Sequence, residues 1–270
     1  MSLQVQLNYA EHMAEKPSAY VYRPGEREAR PPTTQVVRRS VTMHDARSLG
    51  DALSLDGPGL AVVEQKSAVQ NFYDANEVRG VYYPELEALV KQAAGAARVH
   101  VFDHNVRCAP MAKRGENGAQ MPVKFAHNDY TERSGPQRVR DLLPDEAEDL
   151  IRGRFAVINV WRPIVGPVEK QPLAVCDAQS IAPEDLVATD LRYRDRTGEV
   201  YSLAFNPEHR WLYLPRMEQR EVMLIKCFDS RADGRARFTC HAAFDDPTSA
   251  ADAAERESIE VRTLAFWPAA

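Results

Sequence analysis

The sequence predicts a mainly β fold, an antiparallel sandwich or barrel buttressed by helices, on three observations. Nine short strand-like runs follow Arg98, each set off by turn residues. Only two short helical patterns interrupt them, and no regular alternation of strand with long helix, as a parallel βαβ fold requires, is present.

Taken in order, residues 1–35 are polar and proline-dotted, end in RPGEREARPPTTQ, and carry neither the helical nor the strand period. They read as an N-terminal arm or lid ahead of one domain over 36–270. VVRRSVTMHDAR and GLAVVEQ read as strands, the second introduced by the turn signal DGPG. Asn71 to Ala97 holds the longest helical signal, with Leu86, Leu89, Val90 and Ala93 on one stripe after Pro84, a residue suited to a first helical turn. The nine runs are RVHVFDHNVR, KFAHNDY, RFAVINVW, PLAVCDA, VYSLAFN, RWLYLP, EVMLIKCF, RFTCHAAF and SIEVRTLAFW. Between them, LPDEAEDLIRG and APEDLVATDL read as helical.

The chain has 270 residues, with 34 basic against 39 acidic side chains and a formal net charge of −5. That sign disfavours a general nucleic-acid or anionic-membrane binder. No apolar run approaches the roughly 18 to 20 residues that span a bilayer, and the first residues lack the order of a signal peptide. A cytoplasmic protein with a small-molecule partner, and neither nucleic acid nor membrane, is expected. Cys108, Cys176, Cys227 and Cys240 form no C-x-x-C pair and read as buried thiols.

No G-x-G-x-x-G, Walker A or G-x-S-x-G motif occurs, so dinucleotide, P-loop and α/β-hydrolase readings lack support. His127 and Asp129 form an H-x-D triplet at the end of a strand-like run, where period two turns both to one side. His241 lies on a separate run, 112 positions past Asp129. Two histidines and one carboxylate on neighbouring strands make a facial triad that leaves three iron positions open, as non-haem Fe(II) oxygenases need. Arg256 and Ser258 open the last run and share a strand face; a guanidinium and a hydroxyl so placed can clamp the distal carboxylate of 2-oxoglutarate. Arg262 falls on that face and is the rival clamp. Asn159 and Trp161 share one face of RFAVINVW and Arg162 looks to the other, where it holds a substrate carboxylate or braces Asp177 or Asp229. Tyr213 is either a hydrogen-bond donor to 2-oxoglutarate or core, and Lys226 either a carboxylate partner or a snorkelling edge residue.

The stretch His127 to Phe266, with HNDYT, RFAVINVWRPI, PLAVCDAQS, HRWLYLPRM, EVMLIKCFDS, HAAFDDP and RESIEVR, resembles the gibberellin-desaturase-like and cephem-methoxylase-subunit-like family of fungi and bacteria. VRGVYYPELEALV and VHVFDHNVR resemble it upstream, so the likeness spans about residues 35 to 267 and leaves the arm outside. The resemblance implies a double-stranded β-helix (jelly-roll, cupin-like) core, with Fe(II), 2-oxoglutarate and O2 as cofactors. Carried over by position, His127, Asp129 and His241 are the iron ligands, and Arg256 and Ser258 match the family's R-x-S element. The implied reaction hydroxylates or desaturates a small metabolite, with succinate and CO2 as co-products. Tyr130, Trp161 and Arg162 are the expected substrate contacts. A non-catalytic accessory subunit and a jelly-roll iron enzyme independent of 2-oxoglutarate are the alternatives. The arm, the Cys108–Pro122 loop and the segment after Tyr130 are candidate specificity loops, and Arg133, Arg138 and Arg140 lean toward an anionic substrate.

Overall fold

A computed structural model describes residues 2–21 and 31–268. Residues 22–30 of the expected arm lie outside the described residues. The first seven strands are β1 (Ser2–Ala10), β2 (Ser18–Tyr20), β3 (Val36–Asp45), β4 (Leu60–Glu64), β5 (Arg98–Cys108), β6 (His127–Asn128) and β7 (Phe155–Pro163). The rest are β8 (Leu173–Cys176), β9 (Leu186–Arg192), β10 (Thr197–Leu203), β11 (Trp211–Tyr213), β12 (Glu221–Asp229), β13 (His241–Ala243) and β14 (Glu257–Phe266). They form a nine-stranded sheet, β1-β3-β11-β8-β13-β6-β10-β9-β2, and a five-stranded sheet, β4-β12-β7-β14-β5. Pairing is antiparallel except for β3 with β11 and β2 with β9. Bridges from Asn8 to Phe125 and from Ala10 to Ala204 bring β1 across to the far half of its own sheet, so the larger sheet curls.

Side-chain alternation divides the apolar residues into three cores. Phe155, Val157 and Trp161 of β7, with Met223 and Ile225 of β12, meet Leu173, Val175 and Leu212 of the larger sheet between the two sheets. Ala156, Ile158 and Val160 point the other way, under the helical layer. Strand β7 is therefore buried along its whole length, which is why it reads as a nearly unbroken apolar run. The third core, with Leu7, Tyr9, Met43, Trp211 and Cys240, occupies the opposite face of the curled sheet.

The predicted long helix is built from a short turn at Ala75–Glu77, a π segment at Val78–Tyr82 and an α-helix at Tyr83–Ala94. Val78, Tyr82, Leu86 and Val90 are its buried stripe, and Gly95, at φ 65°, ends it in the left-handed conformation that glycine adopts without strain.

Three expectations are corrected. Residues 2–10 are not part of a free arm: they form β1 along the whole of β3, and Val5, Leu7 and Tyr9 are buried from it. APEDLVATDL holds one 3-10 turn, Pro183–Asp185, and then runs on as β9, because β-branched Val187 and Thr189 pair against β10. Two regions expected as loops contain helices, Ala109–Arg114 and Ser134–Leu142. The pattern LPDEAEDLIRG does form a helix, Ala147–Arg152.

Candidate iron and 2-oxoglutarate site

Strand β6 is two residues long and lies between β13 and β10, with His127 directly opposite His241. The two imidazole centroids are 4.7 Å apart. His127 Nδ1 lies 2.8 Å from the Phe125 carbonyl, and His241 Nδ1 lies 3.3 Å from that of Thr239. An Nδ1–H donating to a carbonyl fixes the tautomer and leaves the Nε2 lone pair for a metal. Asp129 completes the group, and one ligand atom from each of the three lies within 4.8 Å of the others.

The carboxylate of Asp129 is held from behind. Its Oδ2 accepts from Asn159 Nδ2 at 2.8 Å and from Arg262 Nε at 3.0 Å, while Oδ1 faces His127 Nε2 at 3.5 Å. With Oδ2 engaged, Asp129 offers one oxygen, and a three-donor site keeps open positions. Burial alone would raise the Asp129 carboxyl, but Arg262 and the two histidines hold it well below the usual carboxylate range. Burial would lower His127, and the hydrogen bond and charge of Asp129 reverse that; His241, buried and facing a second imidazole, is lowered. Asp129 and His241 are thus biased toward their unprotonated forms while His127 is held by the Asp129 charge, and two imidazoles with one carboxylate form a donor set that fits a divalent iron.

The inner face of the five-stranded sheet is laid out in rows across β5, β14 and β7. Asp103, Arg262 and Asn159 form one, Asn105, Glu260 and Trp161 the next, and Arg107, Ser258 and Pro163 the third. Arg262 is fully engaged: besides Asp129 it binds Asp103 at 3.2 Å and Glu260 at 2.8 Å. It supports the Asp129 carboxylate and is not a free clamp. Arg256 is the contrary case. It is 3% exposed, donates to the Gln171 carbonyl at 2.6 Å, lies over the Trp161 ring, and has no carboxylate partner among the described residues. Its Nε and the Ser258 Oγ are buried without a hydrogen bond. Burial, aggravated by the Arg107 charge and only partly offset by Glu260, pulls the Arg256 guanidinium down to about 9. A buried cation beside an unsatisfied hydroxyl calls for an anion, and the distal carboxylate of 2-oxoglutarate fits it.

The remaining predicted residues fall elsewhere or nearby. Tyr213 stands on the opposite face of β11 from Leu212, packed edge-on to Phe244 at 5.4 Å, so it is core and not a 2-oxoglutarate contact. Arg162 points away from the triad, as period two requires of a residue following Trp161. It donates to the carbonyls of Gln65 and Gln219 and sits over Phe72 and Tyr82. Its expected partners are taken, Asp177 by Arg210 and Asp229 by Arg154 and Lys226. Lys226 is thus a buried ion-pair member, bound also to Asp56. Tyr130 and Asp129 line a cleft of about 970 Å3 that also includes Arg107, Arg138, Phe102 and Leu191.

Sequence reasoning missed Glu260, Gln171 and Arg107 and gave Asn159 no role. Glu260 was legible by the same period two that links Ser258 to Arg262. Asn159 was legible as the one amide in an apolar run.

Comparisons with known proteins bear on family and fold. A family model described as an oxidoreductase/YMDC permease-like domain matches residues 7–266. Among the described residues no helix is long and apolar enough to cross a membrane. The chain is 35% identical over 237 residues to the Fe(II)/2-oxoglutarate-dependent dioxygenase nvfI of Aspergillus novofumigatus, covering 84% of this chain and 82% of that one. The chain belongs to the Fe(II)/2-oxoglutarate-dependent dioxygenases. It is also 33% identical over 251 residues to the hydroxylase/desaturase CTB9 of Cercospora beticola, covering 85% of this chain and 76% of the relative. The solved structure of the iron and alpha-ketoglutarate-dependent endoperoxidase NvfI superposes with a TM-score of 0.87 at 30% identity, over 98% of both chains. The dioxygenase therefore has the jelly-roll fold and uses Fe(II), 2-oxoglutarate and O2.

Proposed function

We propose that His127, Asp129 and His241 hold the iron facially, that Arg256 and Ser258 bind the distal carboxylate of 2-oxoglutarate, and that the enzyme hydroxylates or desaturates a small metabolite. The observation that carries this reading is the buried, acid-free Arg256 beside Ser258, on the sheet face that also carries the Arg262 and Asn159 supports of Asp129. When bound, the iron and oxo acid supply the oxidising chemistry, with dioxygen consumed and succinate and CO2 released.

The residues' own contributions are positional. The carbonyls of Phe125 and Thr239 orient the two Nε2 atoms, while Asn159 and Arg262 hold Oδ2 so that a single oxygen reaches the iron. Trp161, at 1% exposure and under the Arg256 guanidinium, walls the clamp from water. The cleft beside Asp129 is the substrate chamber, with Tyr130 on its wall. The resemblance to gibberellin-desaturase-like sequences and the hydroxylase/desaturase relatives support hydrogen removal from carbon as the outcome. Four free, buried cysteines support residence in a reducing compartment such as the cytoplasm.

His127→Ala is expected to abolish iron-dependent succinate formation measured beside active wild type. Unchanged turnover in that variant would overturn the assignment.

A further inference from the structure

The charges lining the substrate cleft do not balance. Four carboxylates face it, and each has a partner. Asp129 and Asp103 bind Arg262, Asp141 accepts from Gln137 at 2.8 Å, and Glu199 binds Lys16, Thr131 and Arg133. Among the guanidiniums lining it, Arg107 and Arg196 have no acidic partner among the described residues; Arg196 is exposed and lies over the Tyr193 ring, whereas Arg107 is half-buried and donates from Nη1 to the Met121 carbonyl at 2.9 Å. Arg107 lies on β5 directly opposite Ser258, and its charge is felt at Arg256. The two arginines nevertheless differ in access. Arg256 and Ser258 are sealed, at 3% and 0% exposure, whereas Arg107 is half-buried and lines the open cleft with Asp129 and Arg262.

Two neighbouring guanidiniums without a carboxylate between them repel each other, and one cofactor carboxylate neutralises only the sealed one. We infer that Arg107 is a specificity-determining residue and that the substrate is an organic acid whose carboxylate Arg107 receives, with its apolar body against Phe102, Leu142 and Leu191. The neighbouring side chains suit this role. Gln120 donates from Nε2 to Asn105 Oδ1 at 2.9 Å, so these two amides are directed at each other beside Arg107 and supply it no counter-charge. Arg133 and Arg140 do not share the role, since Arg133 is paired with Glu199 at 3.0 Å and Arg140 with Glu148 at 2.7 Å. This inference rests on the iron and 2-oxoglutarate reading above, since it takes Arg256 as already filled by the cofactor.

The test uses the full chain with Fe(II) and saturating 2-oxoglutarate under anaerobic conditions. The probes are 1-naphthoate and 1-naphthamide, which are alike in shape and differ in charge, and binding is read by calorimetry and by the iron-to-oxo-acid charge-transfer band. Wild type is expected to bind the carboxylate about ten- to a hundredfold more tightly than the amide, the range set by a charge-assisted hydrogen bond. Arg107→Gln should lose that preference with its 2-oxoglutarate affinity retained, and Arg107→Lys should keep part of it. Equal binding of the two probes by wild type, or no naphthoate binding at all, overturns the inference. So does an Arg107→Gln variant that loses 2-oxoglutarate in parallel, because Arg107 would then belong to the cofactor clamp. Absence of the charge-transfer band in wild type before any probe is added instead overturns the cofactor reading itself.

Discussion

Arg256 is withdrawn from solvent yet meets only a backbone carbonyl and an indole face, so the folded chain carries an ion that, on the proposed reading, meets its counter-charge when the cofactor binds. Replacing a buried, unpaired ion by an apolar side chain of similar length removes a desolvation penalty. Arg256→Met should therefore leave the metal-free chain as stable as wild type or more stable, by about 1–3 kcal/mol, while abolishing 2-oxoglutarate binding. Urea unfolding and calorimetry measure the two effects separately, and a clear loss of stability would show that Arg256 is paired in the folded chain. Asn159 acts at a different point, on Oδ2 of Asp129. Asn159→Ala leaves Arg262 alone to hold that oxygen, and losing one such support typically lowers metal affinity about 10- to 100-fold. Anaerobic Fe(II) titration should show that loss, with binding at the distal clamp unchanged.

At the level of elements, the eleven strand-like runs after residue 35 all became strands, some by alternating apolar and polar residues where one face is covered and others, such as β7, by unbroken apolar runs where both are. What escaped was structure whose sign lies in tertiary partners. Residues 2–10 look polar, yet Val5, Leu7 and Tyr9 alternate with Gln4, Gln6 and Asn8, a strand pattern made visible only by pairing with β3. Within the site, the residues proposed as ligands and as the R-x-S clamp were legible as residue types at fixed spacing, and the fold brings the first three together. The role of Arg262 was not, since nothing local says that its guanidinium reaches, besides Glu260 on its own strand, two carboxylates on other segments. The contact of β2 with β9 is similarly non-local and depends on charge. Lys16 binds Asp190 and Glu199, and Glu199 also accepts from Thr131, two residues past Asp129. Burial would raise the Glu199 carboxyl, but Lys16, Thr131 and Arg133 lower it below its ordinary 4.5. A carboxyl lowered by folding contributes stability above its ordinary value, and that contribution is lost as pH falls through the folded value. Lys16, raised above 10.5, contributes in the opposite sense, below 10.5 and not at higher pH. Glu199→Gln should thus flatten the acid limb of a stability-against-pH curve below pH 4.5 and change little at neutral pH beyond a constant offset. An unaltered acid limb would mean that the network is already lost before Glu199 titrates.

Across the whole molecule, the segment before β4 links the two sheets close to His241, a proposed iron ligand. Gly59 accepts from the Lys226 N–H of the five-stranded sheet at 2.9 Å, and Pro58 accepts from Ala178, just beyond β8 of the curled sheet, at 3.0 Å. Gly59 has φ 79°, and a Cβ there would stand 2.1 Å from Thr239 Oγ1. Thr239 is fully buried and its carbonyl faces His241 Nδ1, so the glycine is a close approach between the sheet connection and the support of one ligand. An alanine must both adopt a left-handed backbone and displace Thr239, at a combined cost of about 2–4 kcal/mol. Because the displaced atom is two residues from His241 on the same strand approach, the strain does not stay in the loop. Gly59→Ala should lower the unfolding free energy and, at a temperature where the variant remains folded, also weaken Fe(II) binding, since the Nδ1 contact that aims Nε2 is moved. Iron affinity equal to wild type in the folded variant would show that the sheets absorb the displacement without passing it to the site. A joint loss would show that the packing of the two sheets and the aim of the ligand are set by the same contact.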